Sequence, residues 1–387
     1  MNNIYFDNSA TTRVSEASAA GIMKALAEWG NPSSVHGRGV GAEKLVTEAE
    51  NNIIKALGVK NPRSGRLIFT GSGTEADNLA ISGTIYCRKY RFKPRIITTD
   101  SEHPAVANTV REAEMNGFDV VRLSTKGGLI DYDELYSALT PETVLISVMR
   151  VNNETGAVYD IGKIFAMAKE RCPDVITHCD AVQGFLKINC SPSKLLADLV
   201  TVSGHKIGAP KGIGALWCDN SLMVHKRIKP IIFGGGQEGG YRSGTENVCG
   251  IAGMGEASKE RFTVMSEDYE KVSYLRSLLI SRLPDGAEVN LPQGEYLPNI
   301  VSLYVPGIKS EVLVRCLSAK GIYISAGSAC SAKKLKTSSV LTAFGLTPDR
   351  ADSTVRISFS HENTSREIEI FTEELSDAMK SLAAKKR

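Results

Sequence analysis

The sequence lacks a long apolar run and a large excess of charge. No window approaches the ~18 apolar residues that a membrane-spanning helix requires, so we expect no membrane association. The opening residues, MNNIYFDNSATTRV, contain no basic region followed by an apolar stretch, so we expect no secretory signal. The formal net charge of +3 predicts no nucleic-acid partner, because such proteins usually carry a clustered basic footprint.

The cysteines also lack a recognisable pattern. Eight cysteines in 387 residues do not suggest a disulfide framework, and no CxxC pair occurs. The spacing of Cys172, Cys179 and Cys190 differs from that of zinc sites, so we predict no bound metal. A reducing cytoplasm is therefore the expected location.

The first two-thirds of the chain alternate strand-like runs with helical stretches. The predicted strands are RLIFT (66–70), RIITTD (95–100), DVVRLS (119–124), TVLISVMRV (143–151), DVITHCD (174–180) and DLVTVSG (198–204). Helices are predicted over TEADNLAISGTIYCRKY (74–90) and PAVANTVREAEMNG (104–117). This alternation predicts an α/β fold with a mostly parallel central sheet flanked by helices, which binds ligands beyond the carboxyl ends of its strands.

The pattern changes after the glycine-rich FGGGQEGGYRSGTEN (233–247). A long helix is predicted from about Val248 to Leu283, followed by the strands NIVSLYV and TVRISFS and by helices at KSEVLVRCLSAK and the C-terminus. We predict a large domain over 15–255 and a smaller α+β domain made of 1–14 and 256–387.

Two features at predicted strand ends suit an anionic cofactor. GSGTEADN (71–78) follows a strand and opens a helix, whose free amides and dipole favour a phosphate; a plain turn with Thr74 as N-cap is the alternative. Lys206 ends DLVTVSGHK, where its amine could bind a cofactor covalently or could be solvated.

Further strand ends carry an acid, an imidazole and amides. Asp180, in VITHCDAVQ, could keep a pyridine nitrogen protonated or could be a helix N-cap. His103, in DSEHPAV, could stack on a flat ring, move protons or be structural. VNNETG offers the amides of Asn152 and Asn153. Together with Lys206 and the phosphate turn, these residues predict a pyridoxal phosphate site.

A series of distinctive motifs spans nearly the whole chain, from about residue 5 to 360. They are DNSATT, GNPSSVH, TGSGTEADNLAI, SEH, VNNETG, HCDAVQ, SGHKIGAPKGIGAL, GGGQEGGYRSGTENV, GSACS and VRISF. With them the chain resembles the cysteine desulfurases, the NifS/IscS-like group of the class V aminotransferase family. The resemblance implies a fold-type-I PLP-dependent transferase that works as a homodimer on L-cysteine.

The resemblance also implies roles for individual cofactor-binding residues. Lys206 would hold pyridoxal 5'-phosphate and move protons, Asp180 would pair with the pyridine nitrogen, and His103 would stack over the ring and take part in catalysis. Gln183 and Asn153 would orient the side of the ring that carries the hydroxyl. The residues implied to bind the phosphate are Gly73, Thr74, Ser203 and His205, with Thr245 from the neighbouring subunit.

Two residues are expected to act on the substrate. Arg356, in TVRISFS, falls on the polar face of a strand and suits bidentate capture of a carboxylate, which Asn153 would assist. Cys330, in SAGSACSAKK (325–334), lies in a run of small and basic residues that can swing. By resemblance, its thiolate would attack the substrate sulfur, form a persulfide and leave alanine.

Three hypotheses remain open from the sequence. The favoured one is a cysteine desulfurase whose persulfide sulfur passes to an acceptor protein, which is either an iron–sulfur scaffold or a sulfur carrier. The sulfur would then serve iron–sulfur cluster assembly, transfer RNA thiolation or thiamine synthesis. The second is a related PLP enzyme, an aminotransferase or selenocysteine lyase, in which Cys330 is dispensable. The third is a non-catalytic sulfur carrier or scaffold, against which Lys206 argues.

Overall fold

The computed structural model of the chain describes residues 3–327 and 338–384. The strands in the described part are β1 (Ile4–Tyr5), β2 (Gly65–Thr70), β3 (Arg95–Thr99), β4 (Asp119–Leu123), β5 (Thr143–Met149), β6 (Ile176–Asp180), β7 (Leu199–Ser203), β8 (Gly214–Asp219), β9 (Glu288–Val289), β10 (Ile300–Tyr304), β11 (Ile322–Tyr323) and β12 (Thr354–Ser358). The α-helices are α1 (Glu16–Ala27), α2 (Gly37–Ala56), α3 (Gly73–Ile85), α4 (Pro104–Met115), α5 (Tyr132–Ala138), α6 (Ile161–Arg171), α7 (Pro192–Leu195), α8 (Asn220–Val224), α9 (Val248–Ser281), α10 (Ser310–Ala319), α11 (Ser339–Ala343), α12 (Pro348–Asp352) and α13 (Ser365–Ala384).

The central sheet has seven strands in the order β2-β8-β7-β6-β5-β3-β4. Its neighbours pair in parallel except at β8, which runs antiparallel to both β2 and β7. The prediction of a mostly parallel sheet is therefore confirmed. Strand β8 was not predicted, because its GALWCD follows the glycine-rich run SGHKIGAPKGIG, which reads as a loop.

Helices cover both faces of this sheet, so neighbouring residues of one strand enter different cores. On β3, Ile96 packs in one core and Ile97 in the other, and on β7 Leu199 and Val200 divide in the same way. This alternation follows from the period of two in a strand. It explains why the strands have continuous apolar stretches rather than alternating ones.

A further core, the small-sheet core, forms around the antiparallel sheet β12-β10-β9 and the parallel pair β1-β11. Ile4 and Phe6, from the start of the chain, are buried in it. Helix α9 contributes to the small-sheet core through Leu275 and to one core of the central sheet through Met254. The predicted domain boundaries, which fall within this helix at 255/256, stay a prediction.

Helix α3 is shorter than predicted. It ends at Ile85 rather than at residue 90, and the rings of Tyr86 and Tyr90 pack edge-on against Phe118, at centroid distances of 5.5 and 5.9 Å. This contact with a distant part of the chain competes with local helix propensity. Among the described residues, no helix has both the length and the apolar content needed to cross a bilayer.

Candidate active site

A cavity of about 250 Å³ lies beyond the carboxyl ends of the central strands. Strands β2, β3, β5, β6 and β7 all point toward this edge, so the segments that follow them converge there. The predicted residues that line the cavity are Gly73, Thr74, His103, Asn153, Asp180, Gln183, Ser203, His205, Lys206 and Arg356. The structure thus brings together ten of the predicted residues in one place.

Lys206 lies in a single 3-10 turn directly after β7. Its Nζ donates hydrogen bonds to the carbonyl oxygens of Ser9 and Ala10, the second at 2.8 Å. Burial, together with the charges of Arg356 and Lys187, lowers the pKa of Lys206 to about 7. A substantial fraction of such an amine is neutral and nucleophilic at neutral pH, as covalent binding of a carbonyl compound requires.

Asp180 ends β6 and is buried at the cavity wall. Its Oδ1 accepts a hydrogen bond from the Val182 N–H at 2.9 Å within a turn. No helix begins at this point, so the alternative of a helix N-cap is wrong, and Asp180 instead lines the cavity. Burial raises the pKa of Asp180 to about 6, while the Val182 N–H and the charge of Lys206 oppose the rise. The carboxyl is therefore mostly ionised at neutral pH and can pair with a cation in the cavity.

His103 is the N-cap of α4 and also faces the cavity. Its Nδ1 accepts a hydrogen bond from the Ala105 N–H at 3.2 Å, which places the proton of the neutral ring on Nε2. Burial, followed by the charge of Lys206, lowers the pKa of His103 to about 4. The pKa of His205 is also lowered to about 4, mainly by burial. Both rings are therefore neutral, and a neutral imidazole can stack on a flat ring without bringing a charge.

The first turn of α3 supplies backbone amides to the cavity. Ser72 is its N-cap and accepts a hydrogen bond from the Glu75 N–H at 3.1 Å, so the alternative of Thr74 as the cap is wrong. The amides of Gly73 and Thr74 are among the first four of a helix, which have no partner within it. A Cβ at Gly73 would lie only 3.1 Å from Val182 Cγ2, so the backbone packs closely against the wall.

Three polar side chains in the cavity leave an atom unsatisfied. Gln183 Nε2 donates to the Ser9 carbonyl at 2.9 Å, but its Oε1 has no hydrogen-bond partner among the described residues. Within the same part of the chain, Asn153 Oδ1 and Arg356 Nε are likewise buried without a partner. Buried polar atoms are usually satisfied, so three such atoms around one cavity indicate a polar ligand.

Arg356 is 2% exposed and is held from two sides. Its Nη1 donates to the Asn153 carbonyl at 2.9 Å and its Nη2 to Asp7 Oδ1 at 2.8 Å. The sequence did not predict this pairing with Asp7, although Asp7 is the first residue of the DNSATT motif. The guanidinium is therefore oriented before a ligand arrives, with Nε left to donate.

Among the predicted residues that the structure describes, Asn152 and Thr245 do not line this cavity. Thr245 lies in a separate pocket of about 240 Å³, beside Arg242 and Glu238. Arg242 Nε donates to Glu75 Oε1 at 2.8 Å, which ties the RSGT segment to the start of α3. Cys330 lies outside the described residues, so its position stays a prediction. Five residues before it in the sequence, Ser325 exchanges two backbone hydrogen bonds with Arg356.

The chain matches a known protein family over most of its length. The family described as Aminotransferase class-V matches residues 4–371. The chain belongs to this family. A cysteine desulfurase of Trichormus azollae is 38% identical over 390 residues, covering 99% of this chain and 94% of that protein. The cysteine desulfurase IscS of Enterobacter sp. (strain 638) is 40% identical over 375 residues, covering 95% and 90%.

Solved structures agree with these matches. A NifS-like protein superposes with a TM-score of 0.90 at 34% identity, covering 98% of this chain and 100% of that one. SspA in complex with cysteine superposes with a TM-score of 0.81 at 32% identity, covering 94% and 100%. The predicted resemblance to the NifS/IscS-like cysteine desulfurases, a PLP-dependent group of fold type I, is confirmed.

Proposed function

We propose that this chain is a pyridoxal-phosphate-dependent cysteine desulfurase that converts L-cysteine to L-alanine and passes the sulfur to an acceptor. One observation supports it most directly: Lys206, Asp180 and the first turn of α3 line the same cavity. A structural neighbour, SspA, was solved with cysteine, which supports L-cysteine as the substrate.

The residues of the cavity fit pyridoxal phosphate. Lys206 would bind its aldehyde, Asp180 its ring nitrogen, and His103 would stack on its ring, while the unsatisfied amide oxygens of Gln183 and Asn153 would meet its polar edge. The phosphate would meet the amides of α3 and the side chains of Thr74, Ser203 and His205. When bound, pyridoxal phosphate withdraws electrons from the α-carbon of an attached amino acid.

The chain's own residues would then bind the substrate and move its proton. Arg356 binds the α-carboxylate through its free Nε, and Asn153 holds the guanidinium through its carbonyl oxygen. Lys206, neutral above a pKa of about 7, takes the proton from the α-carbon and returns one.

Removal of sulfur is assigned to Cys330. Its thiolate attacks the substrate sulfur, an S–S bond forms, and the C–S bond breaks with its electron pair left on carbon, which is protonated to give alanine. The persulfide then delivers its outer sulfur to a sulfur-acceptor protein, an iron–sulfur scaffold or a sulfur carrier. This assignment rests on the sequence, since Cys330 lies outside the described residues.

We also propose that the protein works as a homodimer in the cytoplasm. Thr245 does not line the cavity of its own chain, and a second copy could bring it to the neighbouring cofactor. Large apolar side chains that a partner could cover are exposed at Trp29, Val35 and Phe233, by 74%, 98% and 78%. The cysteines in the described part are all free thiols, as expected in a reducing compartment.

Borohydride reduction followed by peptide mass spectrometry tests cofactor attachment. After incubation with pyridoxal phosphate, the native protein is expected to be yellow and to carry the reduced cofactor on Lys206. Lys206→Ala should carry none, and Lys211→Ala, at the nearest lysine along the chain, should match the native protein. A native protein that remains colourless and unlabelled would overturn the proposal.

A further inference from the structure

Asp77 is a buried carboxyl that lines the active cavity and is not among the residues proposed to bind cofactor or substrate. It lies on α3 one turn after Gly73, and only 1% of its surface is exposed. Its Oδ1 has no hydrogen-bond partner within the described part of the chain. A buried carboxylate oxygen without a donor is costly, so this atom requires an explanation.

No positive charge among the described residues pairs with Asp77. The ring of His178 lies beside it, with Nε2 at 3.6 Å from Oδ1. The hydroxyl of Ser147 lies 2.8 Å from His178 Nδ1 and that of Thr201 lies 3.0 Å from Nε2, so both ring nitrogens have hydrogen-bond partners. Burial lowers the pKa of His178 to about 3, and the ring is therefore neutral.

The charged groups that do act on Asp77 are acids. Burial raises its pKa well above the ordinary range, the charge of Asp180 raises it further, and Glu102 adds to the effect. Only the hydroxyl of Thr201 opposes them. The charge of Lys206 acts on Asp180. Like charges that are buried around one site do not all ionise.

We propose that Asp77 is a positioning residue that keeps its proton, so that the negative charge of the Asp77–Asp180 pair remains on Asp180. A neutral acid has an O–H donor to offer beside Asp180, whose Oδ1 is already bound to Val182. Asp180 would then face the cavity with a fixed orientation and without a repelling neighbour. The inference rests on the proposed function, in which Asp180 pairs with a ring nitrogen.

Infrared difference spectroscopy tests the protonation state directly. We expect the spectrum of the native protein minus that of Asp77→Asn to show one C=O band of a protonated carboxyl at neutral pH. Labelling aspartate with ¹³C should shift this band and so distinguish it from a band of Glu102. Asp133→Asn, which removes an exposed acid on α5, should remove no such band. The absence of a protonated aspartate band in the native protein would overturn the proposal, and this part of the measurement, made on labelled native protein alone, needs neither bound cofactor nor a folded variant.

A second measurement tests the positioning role. Asparagine is neutral and has the same shape as a protonated aspartate, so Asp77→Asn should keep native kcat/KM and the native pH dependence of cofactor absorbance. Asp77→Ala should lose about tenfold in kcat/KM, the order expected for one buried hydrogen bond, and should shift that pH dependence. Equal loss in both variants, or none in Asp77→Ala, would contradict the role. Failure of the native protein to bind cofactor would instead refute the proposed function.

Discussion

At the scale of single residues, burial changes the charge state of the groups that would do the chemistry. It lowers the pKa of Lys206 to about 7 and raises the pKa of Asp180 to about 6. Between these values Asp180 is ionised and Lys206 is largely protonated, and above a pH of about 7 Lys206 becomes a neutral base. A base with such a pKa suits proton transfer near neutrality.

The rate of cofactor uptake should therefore depend on pH. Only the neutral amine attacks an aldehyde, so the rate for cofactor-free protein should rise as pH passes through about 7 and then level off. The charge of Arg356 lowers the pKa of Lys206, so Arg356→Gln should move the midpoint to higher pH. Stopped-flow absorbance across a pH series measures it. Arg122→Gln, which changes an exposed arginine, is the control, and an unmoved midpoint in Arg356→Gln would contradict the account.

The sequence predicted the residues that follow strands but not those that cross from elsewhere. Lys206, Asp180 and His103 could be found because parallel strands end at one edge. Asp7 and the carbonyl of Ser9 could not, since they contact residues separated from them by 349 and 197 positions. Only the folded chain brings the N-terminal segment against β7 and β12.

At the scale of elements, the start of α3 combines capping with ligand binding. The predicted strand-to-helix turn is present, and its cap is Ser72, two residues before the Thr74 of the alternative interpretation. Binding of a phosphate by this turn stays a prediction. Ser72 holds the Glu75 amide, and Glu75 Oε2 accepts from the Gly71 N–H at 3.0 Å. This reciprocal pair fixes the turn from both sides and directs the remaining amides into the cavity.

Ser72→Ala should lose both functions of this cap. We expect a loss of about 1 kcal/mol in the free energy of unfolding, typical of a lost N-cap, together with weaker binding of pyridoxal phosphate. Ser15→Ala removes the cap of α1, where Ser15 accepts from the Ser18 N–H at 3.2 Å, and should destabilise to a similar extent without affecting the cofactor. Denaturant unfolding and fluorescence titration measure the two quantities. Unchanged cofactor affinity in Ser72→Ala would show that the turn does not hold the phosphate.

At the scale of the whole molecule, the cavity needs groups from both sheets and, as we propose, from a second chain. The small antiparallel sheet contributes Arg356 on β12, and the central sheet contributes Lys206 and Asp180. The sequence predicted both sets of elements. It could not predict how the N-terminal segment joins them, because pairing of β1 with β11 depends on contacts over more than 300 residues.

Thr245 gives a test of the dimer. Thr245→Asp should disable the cofactor site of the opposite chain by placing a charge near its phosphate, and Lys206→Ala should disable its own site. Co-expressed with different tags, the two inactive variants should form mixed dimers that hold one native site of two, so the purified mixed dimers should have about half of native activity. Absence of recovery in purified mixed dimers would mean that Thr245 does not act across subunits.

The most direct test of the whole account is the yield of alanine and sulfide from L-cysteine, measured in parallel for native protein, Lys206→Ala and Cys330→Ser. With pyridoxal phosphate and a reductant, the native protein should release both products in equal amounts, Lys206→Ala should release neither, and Cys330→Ser should release no sulfide. Undiminished sulfide from Cys330→Ser, or a native protein that yields no alanine, would contradict the account.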